Sequence, residues 1–223
     1  MNRFTWPETP SLKAFQVAKP GIPFIVVACV STLFLAGIHF HTLALISFFI
    51  TLFVCYFFRD PDRAVEVGEG FLSSPADGKV IFAEVVDENP YVEGKCFKIS
   101  IFMNVFNVHV NRVPFDGTIK AIHYHPGKFF NASLDKASEH NERNAMVIET
   151  EQGVTFATVQ IAGLVARRIV CGVNEGDRVM RGRRYGMICF GSRLDLYLPT
   201  DFACRVAIGD KVQAGTTVMG VLS

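Results

Sequence analysis

The pattern of hydrophobic and polar positions is dominated by one uncharged apolar stretch near the N-terminus. Residues 20–58 are 39 consecutive positions without Asp, Glu, Lys or Arg. A single helix of that length would be about 58 Å long, nearly twice the hydrocarbon thickness of a bilayer. Because the weakly apolar segment 37–42 divides the stretch, the pattern predicts a helical hairpin with legs at 22–38 and 43–58. Each leg is near the lower length limit for spanning, so a hairpin that only dips into the bilayer is an alternative.

Basic residues flank this stretch but are absent from its central turn. Arg3, Lys13 and Lys19 precede it, and Arg59 and Arg63 follow it. Since such residues stay on the cytoplasmic side of a membrane, both ends of the hairpin are predicted to be cytoplasmic. A buried hairpin in a soluble core is the alternative, but uncharged, phenylalanine-rich segments of this length are rarely needed inside a small domain. A cleaved signal peptide fits poorly because no small-residue cleavage site follows the apolar run.

The rest of the chain has the short apolar and alternating runs that are typical of β-strands. Strands are predicted at 79–86, 96–104, 117–123, 144–149 and 154–161. The segment 131–143 is polar and irregular, which indicates a loop. The predicted fold class is therefore α+β, mainly β: an apolar helical hairpin followed by a β-rich domain.

One internal repeat sharpens this expectation. Residues 173–182 and 206–215 both read V-x-x-G-D-[RK]-V-x-x-G, with an offset of 33 positions. The Gly-Asp pair favours a tight turn between two short strands, and the final glycine permits another. Such units are similar to those of lipoyl-type, hammerhead-like β folds, and two copies predict a quasi-symmetric sandwich or flattened barrel.

Charge and cysteine content narrow the classes of function. Only 19% of the residues are charged, but residues 59–223 carry 19 basic and 20 acidic side chains, as an ordinary soluble domain does. This near-neutral balance gives no general field for nucleic acid. The six cysteines form no Cys-x-x-Cys pair, which favours free thiols. We expect three regions: a cytoplasmic segment at 1–19, a membrane-anchoring hairpin at 20–58 and a cytoplasmic domain at 59–223.

Four short motifs carry residue types used in catalysis, although each is compatible with a structural role. Asp77 lies in Ser-Pro-Ala-Asp-Gly, which is a good turn signal. His109 lies among apolar residues, as hydrogen-bonded core histidines do. His123 and His125 would share one face of a strand, as two metal ligands could. Ser192 in Phe-Gly-Ser-Arg is either a nucleophile or part of a hairpin turn, and it lacks the Gly-x-Ser-x-Gly elbow of hydrolases.

In combination, these motifs resemble the phosphatidylserine decarboxylases, specifically the short bacterial type. The resemblance covers nearly the whole chain. The motifs that carry it, in chain order, are Phe-Phe-Arg-Asp-Pro-Asp-Arg, Ser-Pro-Ala-Asp-Gly, Phe-Met-Asn-Val-Phe-Asn-Val-His-Val-Asn-Arg-Val-Pro, His-Pro-Gly-Lys-Phe, Asn-Glu-Arg and Phe-Gly-Ser-Arg-Leu-Asp-Leu. Each motif is weak alone, whereas their order and spacing together are specific.

The resemblance implies that the chain cleaves itself between Gly191 and Ser192. The Ser192 hydroxyl would attack the Gly191 carbonyl, and the resulting ester would undergo β-elimination and hydrolysis to leave a pyruvoyl group. The products would be a β chain of residues 1–191 and an α chain of residues 192–223, which remain together as a heterodimer and could form a higher oligomer.

The resemblance also implies the reaction. The pyruvoyl ketone would form a Schiff base with the amine of phosphatidylserine, accept electron density as CO₂ leaves, and yield phosphatidylethanolamine. No metal or diffusible cofactor and no nucleic acid is implied. The hairpin would hold the enzyme at the cytoplasmic face of the cell membrane, close to the lipid headgroups.

The resemblance further implies roles for individual side chains. Asp77 and His109 correspond to the Asp and His that assist self-cleavage and decarboxylation. Arg112 stands where longer relatives have a second histidine, so His109 either serves both steps or shares them with another group. By its charge and its position next to Ser192, Arg193 is predicted to pair with the carboxylate or phosphate of the substrate, and Arg112 is also predicted to bind the substrate.

Two other classes remain as alternatives. A membrane-anchored zinc endopeptidase similar to the lysostaphin-like enzymes would use His123 and His125, but there the His-x-His follows the Gly-Ser turn, and here it precedes the turn. A non-enzymatic lipoyl-like carrier would use Lys136, which lies in an Asp-Lys-Ala triplet.

Overall fold

The computed structural model describes residues 16–66, 68–128, 132, 140–163, 169–189 and 191–222. The chain divides between Asp62 and Arg63 into a helical unit and a β-rich unit. With 40% of residues in strands and 19% in helices, the predicted α+β, mainly β class is confirmed.

The helical unit contains the expected hairpin. Helix α1 covers Ile22–Gly37 and helix α2 covers His41–Phe57, so both legs lie within two residues of the predicted bounds. The hydroxyl of Thr32 on α1 lies 2.8 Å from that of Ser47 and 3.0 Å from that of Thr51, both on α2. Hydroxyl contacts of this kind join apolar helices that have few other polar groups.

The apolar side chains of this hairpin are unusually exposed. Leu33 is 72% exposed and Val27 is 66% exposed, whereas such residues are normally buried in a soluble protein. Among the described residues, Lys19–Gly37 is the one helical segment long and apolar enough to cross a membrane, and His41–Phe57 is a shorter apolar helix. The 19 residues of the longer segment would extend about 28 Å.

The β-rich unit contains the predicted strands and several shorter ones. Its described strands are β1 (Phe71–Ser73), β2 (Gly78–Val86), β3 (Cys96–Met103), β4 (Val110–Arg112), β5 (Gly117–His125), β6 (Arg143–Glu149), β7 (Thr155–Ala162), β8 (Ile169–Cys171), β9 (Arg178–Val179), β10 (Arg184–Ile188), β11 (Ser192–Leu198), β12 (Ala203–Cys204), β13 (Lys211–Val212) and β14 (Val218–Val221). All five predicted strands are present, with ends within two residues. The predicted polar loop at 131–143 lies mostly outside the described residues.

The strands form one large sheet and two small ones. The large sheet has the order β13-β2-β3-β11-β7-β6-β5-β9 and curls into a half-barrel. Three-stranded sheets β1-β14-β12 and β4-β10-β8 accompany it. Along β11, Leu194, Leu196 and Leu198 belong to the main core, whereas Tyr197 belongs to a smaller cluster on the other face of the sheet.

The repeat noted in the sequence accounts for the two edges of the large sheet. Its copies form β9 and β13, which lie at opposite ends of the strand order. In one copy the Gly176 N–H donates to the Ile119 carbonyl, and in the other the Gly209 N–H donates to the Val80 carbonyl, both at 2.8 Å. The two halves of the sheet are therefore built alike, as the repeat predicted.

A second repeat, which was not recognised in the sequence, stands at the start of β2 and β5. These are the strands that pair with β13 and β9. Pro75-Ala76-Asp77-Gly78 precedes β2, and residues 114–117 (Pro-Phe-Asp-Gly) precede β5. Both partner strands carry a bulge at the same place, between Val80 and Phe82 in β2 and between Ile119 and Ala121 in β5. The Pro-x-Asp-Gly motif is thus a structural turn that occurs twice in the fold.

Candidate active site

Ser192 begins strand β11 in the middle of the large sheet. It pairs with Met103 of β3 on one side and with Ala162 of β7 on the other. Its side chain is fully buried, and the hydroxyl lies 3.9 Å from the sulfur of Met103. A thioether is a weak acceptor, so this contact leaves the hydroxyl available as a nucleophile.

The peptide carbonyl before Ser192 lies against another glycine. Gly191 has a φ of +63°, which favours glycine over any other residue. A Cβ atom added to Gly163 would overlap the Gly191 carbonyl oxygen, so only glycine fits opposite this bond. Close backbone packing therefore fixes the Gly191 carbonyl at the Gly-Ser step.

His109 lies fully buried just before β4. Its Nδ1 is 3.0 Å from the Asn107 carbonyl oxygen, which can only accept, so Nδ1 donates a proton to that carbonyl. In a neutral ring with this tautomer, Nε2 is the basic nitrogen. The His109 carbonyl accepts a hydrogen bond of 3.3 Å from the N–H of Ile188, the last residue of β10. Because β10 ends three residues before Gly191, this hydrogen bond joins the backbone of the histidine to the strand that precedes the Gly-Ser bond.

Asp77 has two partners of different kinds. Its Oδ1 accepts a hydrogen bond from the Ala214 N–H at 2.8 Å, and its Oδ2 pairs with the Arg63 guanidinium at 2.9 Å. Asp116, in the second Pro-x-Asp-Gly copy, makes the same backbone contact with the Arg181 N–H at 2.6 Å but is exposed. The backbone contact is therefore structural, and burial together with the ion pair distinguishes Asp77.

Arg112 holds two parts of the fold together. Its backbone N–H donates to the Pro75 carbonyl at 2.9 Å, and its guanidinium donates to the Gly182 carbonyl, also at 2.9 Å. The side chain is almost fully buried. These contacts give Arg112 a structural role. Substrate binding by Arg112 stays a prediction.

Arg193 lies on the opposite face of the sheet from Ser192, because successive side chains of a strand alternate. Its guanidinium makes a two-pronged ion pair with Asp195, at 2.8 and 2.9 Å, and the two residues are 2% and 0% exposed. Lys98 reaches the same carboxylate at 3.4 Å. This geometry does not favour the predicted substrate contact of Arg193, which stays an untested prediction.

A chain of buried amides next to Ser192 was not predicted. Asn111 lies 3.8 Å from the Met103 sulfur, Gln160 donates to Asn111 at 2.9 Å, and Asn144 donates to Gln160 at 3.2 Å. Buried amides of this kind stabilise a structure only while each is hydrogen-bonded. One residue in the sequence could have indicated this chain of amides. Gln160 is a single amide within the apolar run Thr-Val-Gln-Ile-Ala of β7.

The two histidines of the zinc-peptidase alternative do not belong to a metal-binding cluster in the described part of the chain. His123 and His125 are exposed on β5. Within the part of the chain that the structure describes, no three His, Cys, Asp or Glu side chains lie close enough to hold a metal ion. All six cysteines are free, and burial raises the pKa of the Cys171 thiol. Lys136 lies outside the described residues.

Comparison with known proteins agrees with the motif resemblance. Residues 50–220 match the family model described as phosphatidylserine decarboxylase. The phosphatidylserine decarboxylase proenzyme of Desulfotalea psychrophila is 50% identical over 204 residues, covering 92% of this chain and 95% of that protein. The proenzyme of Syntrophus aciditrophicus is 49% identical over 205 residues, covering 92% and 96%. That of Nitratidesulfovibrio vulgaris is 50% identical over 206 residues, covering 92% and 94%. The chain therefore belongs to the phosphatidylserine decarboxylase family of enzymes.

Proposed function

We propose that this protein converts phosphatidylserine to phosphatidylethanolamine and CO₂ at a membrane surface, with a pyruvoyl group made from its own Ser192. The observation that carries the proposal is the Gly191–Ser192 step at the start of β11, with its fully buried serine, in a family whose members are named as proenzymes. A proenzyme requires a maturation reaction. The Gly191–Ser192 bond, with its serine hydroxyl, has the residue types that the proposed reaction needs.

Maturation is proposed to proceed without an external reagent other than water. The Ser192 Oγ attacks the Gly191 carbonyl carbon, the peptide C–N bond breaks, and an ester forms while the nitrogen takes up a proton. β-Elimination then transfers the Ser192 Cα proton to a base, breaks the Cβ–Oγ bond and releases the Gly191 carboxylate. The remaining dehydroalanine tautomerises, and water replaces the nitrogen, which leaves as ammonia. The tight packing of the Gly191 carbonyl on Gly163 supports this reading because it holds the electrophile still.

His109 is proposed to move the protons. Its neutral Nε2 would accept the Ser192 hydroxyl proton during maturation and exchange a proton with the substrate carbon during decarboxylation. The Nδ1 contact with the Asn107 carbonyl, at 3.0 Å, supports this because it fixes both the tautomer and the ring orientation. Asp77 is proposed to assist maturation, and its paired, buried carboxylate supports a charged role.

The residues around Ser192 fit the group that the family implies. Met103 and Ala162 flank the position, and the part of the chain that the structure describes brings no carboxylate to the Ser192 hydroxyl. A neutral ketone suits this buried position, to which the described residues bring no charge. When formed, a pyruvoyl group supplies an electrophilic carbonyl that can hold the substrate amine and take up the electron pair left by CO₂.

The proposed products of cleavage, residues 1–191 and 192–223, would stay together as a heterodimer. Strand β11 pairs with β3 at seven positions and with β7 at six, so the smaller chain would begin inside the large sheet. The exposed apolar hairpin supports attachment to the cell membrane. Arg59 and Arg63 support the cytoplasmic face, since basic residues after an apolar helix favour that side.

Product formation tests the proposal. Purified full-length protein, incubated with phosphatidylserine vesicles, should yield phosphatidylethanolamine and CO₂ by mass spectrometry. Ser192→Ala should yield neither. Phenylhydrazine, which condenses with ketones, should inactivate the native enzyme. Turnover by Ser192→Ala, or turnover insensitive to phenylhydrazine, would contradict a Ser192-derived ketone.

A further inference from the structure

One aromatic side chain of the β-rich unit stands out by its exposure. Phe106 is 63% exposed, the largest value among the large hydrophobic residues described in that unit. Single exposed hydrophobic residues are common on proteins and need no explanation by themselves. Phe106 differs from other exposed residues because its loop lies next in the chain to residues of the proposed active site.

Phe106 lies in a short loop that is held by its own asparagines. The Asn107 side chain accepts a hydrogen bond from the Asn104 N–H at 2.9 Å, and the Asn104 side chain accepts one from the Phe106 N–H at 2.9 Å. The Asn107 N–H also donates to the Asn104 carbonyl at 3.1 Å. These bonds close the turn and present the phenyl ring outward at little further cost in conformational entropy.

The same loop connects two groups of the proposed active site. It follows Met103, whose sulfur touches the Ser192 hydroxyl at 3.9 Å. Its last residue, Asn107, accepts the hydrogen bond from His109 at 3.0 Å. Any surface that receives Phe106 therefore contacts a loop that is close in sequence to two groups of the Ser192 site, Met103 and His109.

The loop also lacks the charges that would oppose entry into an apolar phase. No Asp, Glu, Lys or Arg occurs from residue 99 to residue 111. Burial of charge in a lipid phase is costly, so an uncharged loop with one outward phenyl ring is suited to the interface of a bilayer.

We propose that the loop at 104–107 is a lipid-docking element, in which Phe106 inserts into the bilayer beside the Ser192 site. This inference rests on the proposed function insofar as the substrate is a bilayer lipid. It adds a second point of contact to the hairpin, and this contact would set the distance between the reactive group and the headgroups.

Fluorescence quenching tests insertion without reference to catalysis. The chain has one tryptophan, Trp6, so the double variant Trp6→Phe, Phe106→Trp carries a single reporter. In phosphatidylcholine and phosphatidylglycerol vesicles with brominated acyl chains, its emission should shift to the blue and be quenched. The matched control is Trp6→Phe, Ile208→Trp, since Ile208 is 57% exposed but lies in a repeat turn. That reporter should respond to aqueous iodide and not to bromine.

The same measurement in a Ser192→Ala background separates this inference from the proposed function. Bromine quenching at position 106 in this background, together with no decarboxylation by the protein that keeps Ser192, would support docking and contradict the proposed function. Decarboxylation by the protein that keeps Ser192 without such quenching, or equal quenching at position 208, would overturn the docking proposal.

Activity provides a second readout. Phe106→Ser should lower the ratio of kcat/KM for phosphatidylserine in vesicles to kcat/KM for a short-chain, water-soluble phosphatidylserine by about tenfold, as expected for loss of one buried phenyl ring. An equal fall on both substrates would show that the loop serves only the folded site, and would overturn the proposal.

Discussion

The two Pro-x-Asp-Gly copies make it possible to separate the chemical role of Asp77 from its structural role. In Asp77→Asn the amide oxygen can still accept the hydrogen bond of the Ala214 N–H. What is lost is the charge opposite Arg63, whose side chain is 15% exposed against 10% for Asp77. Asp116→Asn is the matched control, because Asp116 makes the same backbone contact at an exposed position.

The expected loss of stability follows from the burial of the pair. Exposed ion pairs contribute about 0.2–1 kcal/mol, and removing one partner of a fully buried pair costs about 3–5 kcal/mol. The pair of Arg63 and Asp77 lies between these limits, so Asp77→Asn should lower the free energy of unfolding by about 2 kcal/mol. Asp116→Asn should lower it by less than about 0.5 kcal/mol. Urea unfolding in a Ser192→Ala background, where the chain stays intact, measures both values.

Self-cleavage then discriminates between the two roles. If the Asp77 carboxylate assists proton transfer, Asp77→Asn should slow the appearance of the two chains about 100-fold, whereas Asp116→Asn should leave the rate unchanged. Gel densitometry during cell-free synthesis gives both rates. Cleavage of Asp77→Asn at the native rate would refute the chemical role. An equal slowing of both variants would mean that the turn geometry, and not the carboxylate, controls maturation.

Three further predictions follow from contacts near Ser192. Gly163→Ala should slow self-cleavage at least about tenfold, because its Cβ would displace the Gly191 carbonyl; normal cleavage, seen as two chains on a gel, would contradict this. Arg193→Met should lower the free energy of unfolding by about 3–5 kcal/mol, because the fully buried Asp195 loses its two hydrogen bonds to the guanidinium. A variant of native stability with only a raised KM would instead support substrate binding by Arg193. Gln160→Met should cost about 2–4 kcal/mol in urea unfolding, because it removes the buried hydrogen bonds that Asn111 and Asn144 make with Gln160. An unchanged midpoint would show that these amides find other partners.

The sequence predicted the elements of this fold well where periodicity is strong. The uncharged hairpin and five strands were recognisable because apolar runs and alternation report directly on burial. The repeat at 173–182 and 206–215 predicted a quasi-symmetric sandwich or flattened barrel, and its two copies form β9 and β13 at the opposite edges of the large sheet. The second repeat was missed because only four residues of it are alike, and its equivalence becomes visible through the matching bulges.

The site was only partly predictable, because its motifs name residues without their orientation. Neighbours in sequence can lie on opposite faces of a strand, which is why Arg193 lies away from the buried Ser192. The pairing of Asp77 with Arg63 joins residues 14 apart, and the contact of Ser192 with Met103 joins residues 89 apart. Such contacts depend on the tertiary structure and leave no local pattern in the sequence.

The intact mass of the purified protein under denaturing conditions tests the central claim most directly. The account predicts two chains, residues 1–191 and 192–223, with the smaller chain beginning at a blocked, ketone-bearing residue in place of Ser192. Ser192→Ala should give one uncleaved chain. A single unmodified chain of 24.7 kDa from the native sequence would contradict self-cleavage at Gly191–Ser192 and the mechanism built on it.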